Sequence, residues 1–511
     1  MSKKFYITTP IFYPSAKPHM GHAYTSIVAD VFARIKMIDG YDVHFLTGTD
    51  EHGLKIQRAA EKANMNPLEF CDKISKTFKD LTKKLNLKNT DFIRTTENRH
   101  FKSVQYLWDL LEKSGDIYLS KYSGWYSVSD EAFYNNDEIT SKDGDNVSIV
   151  SGSKVEWVEE ESYFFKLSKW ENKLLDHYKE NPDFILPKSR KNEVISFVKS
   201  GLKDLSISRK SISWGINVPN NDKHVIYVWL DALTNYLSSL KYPDTENKLY
   251  KDFWPADLHL IGKDILRFHA IYWPAFLLAA KIPLPKKIYG HGWILSGDEK
   301  MSKSKGNILD PLEIIDNYGL DPLRYYLIKE VSFGSDGNIS KDKLEDCINS
   351  DLANNFGNLC QRVVSFNEKK FSLSIPKKIK FENDDLKILN KFSENLDKIR
   401  TEIDKQNLNF YIQFIVNSLF DANKYFNDQE PWNKKDDEVR LNTIVYTSLE
   451  IIRKVSIMLY PIIPESCIKA LKIFDIKQNE LDFSSLKDHT YLKEGKKINK
   501  IDILFKKILK K

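Results

Sequence analysis

Hydrophobic positions near the N-terminus fall in the order strand, loop, helix, strand. Residues 4–8 form a short apolar run, residues 10–18 hold Pro10, Pro14 and Pro18 and read as a loop, and residues 19–38 carry Ile27, Val28, Val31, Ile35 and Ile38 at helical spacing. Pro18 at the entry and Gly40 past the last apolar position bound that helix. Residues 43–47 then read as a second strand. The pattern predicts a βαβ unit, and ligands of open α/β sheets lie beyond the carboxyl ends of the strands. The loop before the helix is therefore the first place to look for chemistry.

From about residue 116 the texture changes to short aromatic and β-branched runs, as in residues 118–128 and 148–158, broken by Gly, Asn, Asp and Ser. A small β-containing insertion is expected there. Parallel-strand character is predicted to return at residues 225–230 and 258–262, so the α/β fold is split in two. Beyond about residue 350 the pattern is helical. Leu389, Phe392, Leu396 and Ile399 share one face, Ile412, Ile415, Leu419 and Ala422 another, and Val445, Ser448, Ile452, Val455 and Leu459 a third. These faces predict a helical bundle. The expected division is residues 1–115 for the first half of the α/β domain, 116–224 for the insertion and the return to the fold, 225–349 for the second half, and 350–511 for the bundle.

A chain of 511 residues exceeds one ordinary core, which agrees with several modules. Hydrophobic residues make up 41% and charged ones 29%, with no long apolar run, which excludes a membrane-spanning or disordered class. The net charge of +6 is compatible with a polyanionic partner without establishing one. Cys71, Cys347, Cys360 and Cys467 form no CxxC pair, so neither a disulfide framework nor a cysteine zinc site is expected. Only Lys3 and Lys4 precede the first apolar run, which leaves no room for a targeting peptide and makes cytoplasm the expected location. The lysine-rich stretch 496–511 reads equally well as a solvated tail or an RNA contact.

Two motifs carry candidate chemistry. Pro18, His19, Met20, Gly21 and His22 open the first helix and put two imidazoles on one face at its N-terminus, where free N–H groups and the helix dipole favour phosphate. Taken alone, such a pair also reads as surface or metal-binding histidines. The second motif is Lys300, Met301, Ser302, Lys303 and Ser304, between a strand-like run at residues 287–293 and a helix expected to begin at Asp310 and Pro311. That position holds two ammonium groups near the ligand edge of the sheet.

The pair resembles the HIGH and KMSKS signatures of class I aminoacyl-tRNA synthetases, departing only at Met20, whose side chain faces the core in that family. Residues 8–13, 47–53, 227–236 and 261–273 resemble methionyl-tRNA synthetases in particular, and the likeness runs over nearly the whole chain. It implies a Rossmann-like catalytic domain split by a connective insertion, followed by an all-α anticodon-binding domain. It further implies activation of L-methionine by ATP, with Mg²⁺ arriving on the nucleotide, and transfer to the 3′ end of tRNA(Met).

By resemblance, His19 and His22 stabilise the reacting phosphate and Lys300 and Lys303 close over pyrophosphate. Gly21, Gly262, Asp264, Gly292, Met301, Ser302 and Ser304 complete the ATP site. Ile11, Tyr13, Asp50, Trp229, Ala232, Leu233, Tyr236, Ile265, Phe268, His269 and Trp273 form the methionine site, with Asp50 on the α-ammonium and Tyr13 and His269 as donors to sulfur. Arg209 matches a position near both substrates. Asn358, Arg362 and Trp432 match anticodon-reading positions, an amide, a guanidinium and an aromatic plane suited to splayed single-stranded bases. As ordinary residues, Trp229, Phe268 and Trp273 would read as core, Asp50, Arg209 and Asp264 as surface charges, and Trp432 as a bundle cap.

Relatives with a zinc knuckle carry cysteines where this chain has Ser127 and Asp130, so no zinc is expected. The insertion is too short for a hydrolytic editing domain. The alternatives are a sibling synthetase for another apolar amino acid, a nucleotidyltransferase acting on a small metabolite, and a non-catalytic RNA-binding relative. A monomer is expected, since no further dimerising domain follows the bundle.

Overall fold

A computed structural model describes residues 3–142, 144–296, 299–300 and 310–509 of the chain. Two compact units emerge, one of Lys4–Ala29 and Val43–Gly292, the other of Asp30–Asp42 together with the chain from residue 293 onward.

The first unit is built on a six-stranded sheet. Its strands are β1 (Lys4–Thr8), β2 (Asp42–Thr49), β3 (Asp91–Arg94), β4 (Ile185–Leu186), β5 (Leu258–Gly262) and β6 (Ile288–His291), in the spatial order β3-β2-β1-β5-β6-β4. β2 runs parallel to β3, β1 to β5, β5 to β6 and β6 to β4. Near-continuous burial along β1, β2 and β6 is the mark of strands covered on both faces. Gly48 is required by close packing within the sheet, because a Cβ there would strike the Ile93 carbonyl of β3.

Between β1 and β2 runs α1 (Met20–Ile38), with Ile27, Val28, Val31, Ile35 and Ile38 all buried and Gly40 at φ +82 behind it. Met20 is fully buried, as the resemblance implied. Between β3 and β4 in the chain lie three strands of a four-stranded sheet, including the long antiparallel pair Ile117–Ser127 and Glu156–Phe165, and Leu205–Ser206, past β4, completes it.

One expected element is corrected. Residues 225–230 do not form a parallel strand. Asn221–Ile226 is the centre of a small antiparallel sheet, and α2 (Val228–Leu233) follows it. A short, continuously apolar run fits a buried helix turn as well as a buried strand, and here every residue of α2 is buried.

The second unit is mostly helical and contains α3 (Asn358–Phe371), α4 (Asn383–Asp404), α5 (Leu408–Asp428) and α6 (Glu438–Leu459). The predicted faces of α4 and α5 are buried. α6 exceeds its predicted stripe, since all residues from Thr443 to Leu459 are buried and it forms the centre of the bundle. Its buried Arg453 and Lys454 donate to the backbone carbonyls of Ser485, Leu486 and Asp488, pinning the segment that follows. Near the end of the chain Ile508 exchanges two hydrogen bonds with the Asn349 side chain, which ties that residue to the helical unit.

Candidate active site

The loop after β1 is tied to the end of β2. Phe12 N–H donates to the Gly48 carbonyl at 2.9 Å, and Asp50 N–H donates to the Phe12 carbonyl at 2.9 Å. Extended backbone sends successive side chains to opposite sides. Phe12 consequently packs on His22, with ring centroids 4.8 Å apart, while Tyr13 turns the other way and meets Trp229 edge-on at 6.5 Å. One pinned segment thus serves two pockets.

At the start of α1 the imidazoles of His19 and His22 lie 3.8 Å apart, centroid to centroid. His19 N–H donates to His22 Nδ1 at 3.0 Å, and Gly21 N–H donates to His19 Nδ1 at 3.1 Å. A ring nitrogen that accepts holds no proton, so in its neutral form each imidazole carries its hydrogen on Nε2. Burial, followed by the charges of His19 and Lys55, holds His22 well below the ordinary imidazole value, which makes it an uncharged donor at neutral pH. A Cβ on Gly21 would stand 3.0 Å from His19 Cε1, so a larger residue would displace that ring.

Asp50 follows β2 directly and is buried, with no hydrogen-bond partner at Oδ1. Burial first, then the neighbouring charges of Asp231 and Glu131, pushes its carboxyl well above the ordinary range. Trp229 and Phe268 stack at 3.8 Å with planes 5° apart. Ala232, Leu233 and Tyr236 are buried beside them, and the Trp273 ring lies 6.1 Å from that of Tyr236. Ile11, Tyr13 and Ile265 are half-buried against the same core. Phe268 and His269 sit in a π-helical turn, Phe268–Tyr272, a departure from α-helical phase that is frequent at functional sites.

The ring of His269 is fully engaged. Nδ1 lies 3.0 Å from the Ile265 carbonyl, which can only accept, so the proton is on Nδ1, and Nε2 accepts from the Tyr236 hydroxyl at 2.7 Å. Burial lowers its pKa to about 4, so the ring stays neutral. His269 therefore offers no free N–H to a thioether in this arrangement. The Tyr13 hydroxyl, buried and without a partner, does.

Gly262 and Asp264 stand at the carboxyl end of β5, where a Cβ on Gly262 would clash with Asp264 Oδ1 at 2.6 Å. Gly292 follows β6, whose His291 holds Thr25 of α1 at 2.8 Å. Arg209 is paired with the Glu160 carboxylate and stacked over the Tyr126 ring at 4.2 Å, with Nη1 buried and unpartnered. Lys300 lies in the two-residue strand Glu299–Lys300, while Met301, Ser302, Lys303 and Ser304 lie outside the described residues.

Sequence reasoning missed a buried group beneath the pocket. Asp231 of α2 accepts from His52 Nδ1 and His100 Nε2, each at 2.7 Å, and His100 Nδ1 faces Ser238 Oγ at 2.9 Å. This joins the segment carrying Asp50 to the helix carrying Trp229. His52 and Asp231 both lie in stretches that resemble the family, yet nothing in the linear order pairs them. Lys55 was missed as well; its ammonium lies 4.5 Å above the Tyr13 ring and donates to the Ser129 carbonyl at 2.8 Å.

Ser127 and Asp130 belong to a hydrogen-bonded knot. Asp130 accepts from Tyr134 at 2.8 Å, Ser151 at 2.5 Å and Ser153 at 2.8 Å, while Asp130 N–H donates to Ser127 Oγ at 3.2 Å. In the helical unit, Arg362 donates to Asn427 Oδ1 at 2.6 Å and lies over Phe426 at 5.4 Å. The Phe426 ring is 6.1 Å from that of Trp432, which is 39% exposed and thus open on one side. Asn358 is one helical turn before Arg362, on the same face of α3.

The parallel sheet, the imidazole pair opening its first helix, the carboxylate beside an aromatic pocket and the separate helical unit define a class I aminoacyl-tRNA synthetase. The profile of the family described as "tRNA synthetases class I (M)" matches residues 5–144 and 140–364, and that of the "Anticodon binding domain of methionyl tRNA ligase" matches residues 375–511. The chain belongs to the methionyl-tRNA synthetase family. A methionine–tRNA ligase of Rickettsia felis is 49% identical, over 99% of this chain and 98% of that one. One from Brucella suis is 48% identical, over 95% and 94%. The solved structure of Mycobacterium tuberculosis methionyl-tRNA synthetase in complex with methionyl-adenylate is 44% identical, with a TM-score of 0.96 over 98% of this chain and 99% of that one.

Proposed function

We infer that the protein is a methionine–tRNA ligase, which joins L-methionine to ATP as methionyl-adenylate, releases pyrophosphate, and passes methionine to the 3′ end of tRNA(Met). One observation carries the reading furthest: a buried carboxylate oxygen of Asp50 and a buried hydroxyl of Tyr13 are both unpartnered, the Asp50 charge acts on Tyr13, and the Tyr13 ring meets Trp229, which stacks on Phe268. An amino acid with a cationic α-amino group and a polarizable apolar side chain satisfies all of them together. Family membership sets aside the sibling synthetase, the metabolite nucleotidyltransferase and the non-catalytic relative.

In the reaction the methionine carboxylate attacks the α-phosphorus and pyrophosphate leaves, so no side-chain nucleophile is needed. Asp50 fixes the ammonium, and the Nε2–H groups of His19 and His22 donate to phosphate oxygens. Gly262 and Asp264 meet the nucleoside beyond β5, and Lys300 and Lys303 neutralise the departing pyrophosphate. Mg²⁺ enters with ATP. ATP–pyrophosphate exchange with a panel of amino acids should respond to methionine, with homocysteine as the nearest competitor, because one methylene is worth only about 1–3 kcal/mol. Lys303→Ala should slow exchange by about two orders of magnitude. Full exchange activity in that variant would remove the lysine loop from the mechanism.

No zinc is needed to staple the insertion, because the Asp130 knot links Tyr134, Ser151 and Ser153 through hydroxyls. Mass spectrometry of protein purified without added metal should find no stoichiometric zinc. One equivalent of zinc per chain would overturn that expectation.

A further inference from the structure

One face of α5 remains without a role in this scheme. Gln413, Asn417, Phe420, Lys424 and Asn427 are all exposed and recur at spacings that keep them in one solvent-facing row. Phe420 is 65% exposed, more than Trp432. A single exposed phenylalanine is ordinary, but its company here is not. The row holds three amides, one ammonium and no carboxylate, and neighbouring Asp421 is turned aside to Lys391 at 2.6 Å.

The row also continues into the anticodon-reading positions. Asn423 of α5 donates to Asn355 Oδ1 at 2.6 Å, and Asn427 accepts from Arg362 at 2.6 Å. The segment from Asn355 to Arg362 thus crosses α5 between those two contacts, and Asn358 lies within it. Phe420 stands one turn before the crossing.

We propose that Phe420 and Lys424 extend the RNA-binding face: a base of the anticodon loop, next to those met by Asn358, Arg362 and Trp432, stacks on the Phe420 ring while Lys424 meets an adjoining phosphate. The proposal rests on the anticodon-reading role of those three residues. An aromatic plane, flanking amides and a cation are what an unpaired nucleotide binds, by stacking, edge hydrogen bonds and charge. An acidic protein partner would be met by a denser cluster of cations than one lysine.

The test measures binding of an in vitro transcript of methionine tRNA at several salt concentrations, together with ATP–pyrophosphate exchange, for the full chain and its Phe420→Ala, Phe420→Trp, Lys424→Ala and Trp432→Ala variants. Phe420→Ala should weaken binding about five- to thirtyfold and Phe420→Trp should restore it. Lys424→Ala should lower the slope of log Kd against log salt by about one. Exchange and melting temperature should stay at wild-type values for the Phe420 and Lys424 variants, since both side chains point to solvent. If Trp432→Ala weakens binding and Phe420→Ala does not, the extension is wrong and the anticodon reading stands. If neither weakens it, the reading falls and takes the extension with it. A change in sedimentation on Phe420→Ala with unchanged RNA binding would make this row a contact between copies of the chain.

Discussion

Replacing Asp50 with asparagine should raise the KM for methionine and cut kcat/KM for activation about a hundredfold, while the melting temperature of the free protein holds or rises. The carboxylate is buried beside Asp231 and Glu131, and one of its oxygens has no partner. Its ionised form is therefore costly until an α-ammonium arrives. Breaking a buried, hydrogen-bonded charge pair costs about 2–5 kcal/mol, and an amide keeps the shape and one acceptor, so about 3 kcal/mol is expected. That figure corresponds to about two orders of magnitude in rate.

Because the folded-state pKa of Asp50 is raised, the stability cost of its charge is fully present above that value and vanishes as pH falls toward the unfolded-state value. The thermal advantage of the Asn variant should accordingly shrink on acidification. Methionine binding should run the other way in the wild type, weakening as Asp50 takes up a proton, and this step should be missing from the variant. A variant that melts earlier and keeps its KM would mean that Asp50 is a structural residue with no hold on the substrate.

Substituting Asp30 with alanine should lower stability by about 3–5 kcal/mol, the cost of leaving buried charge without its counterion. In the helical unit Asp30 Oδ2 accepts from Arg34 Nε at 2.6 Å and from Arg324 Nη2 at 2.7 Å, and all three side chains are buried. Arg34 also donates to the Tyr460 hydroxyl at 2.9 Å, and Arg324 to the carbonyls of Pro461 and Ile462, each at 2.8 Å. Without Asp30 two buried guanidinium groups would lose the carboxylate they share. For a unit of this size the loss should appear as a fall of about 10 °C in its melting transition. Asp30→Asn, which keeps an acceptor, should lose less, and the double replacement Asp30→Leu with Arg34→Met should recover part of the loss. A shift of less than about 2 °C for Asp30→Ala would show that the other partners of the two arginines satisfy them without the carboxylate.

Much of the fold was legible in local pattern. The helix opening at His19 and the faces of α4 and α5 were readable because an amphipathic period repeats over many residues and needs no knowledge of the partner. The run at residues 225–230 was misread because six buried apolar residues have no polar face to reveal their period. α6 was only partly legible for the same reason, since burial on all sides erases the stripe.

The candidate site was legible in a different sense. Resemblance picked out Tyr13, Asp50, Trp229, Phe268 and His269, but the state of each group awaited its neighbours. Asp231 meets His52 and His100 across 179 and 131 residues of chain, and no linear signal links them. His269 looked like a donor to sulfur until the Ile265 carbonyl and the Tyr236 hydroxyl fixed its tautomer. The sequence by itself determined which residue types could perform the chemistry and where the amphipathic helices would lie, because period and composition are local. Tertiary structure alone decided which buried polar atoms found partners and which, such as Asp50 Oδ1 and the Tyr13 hydroxyl, found none, because hydrogen bonding and desolvation depend on groups brought together from distant parts of the chain.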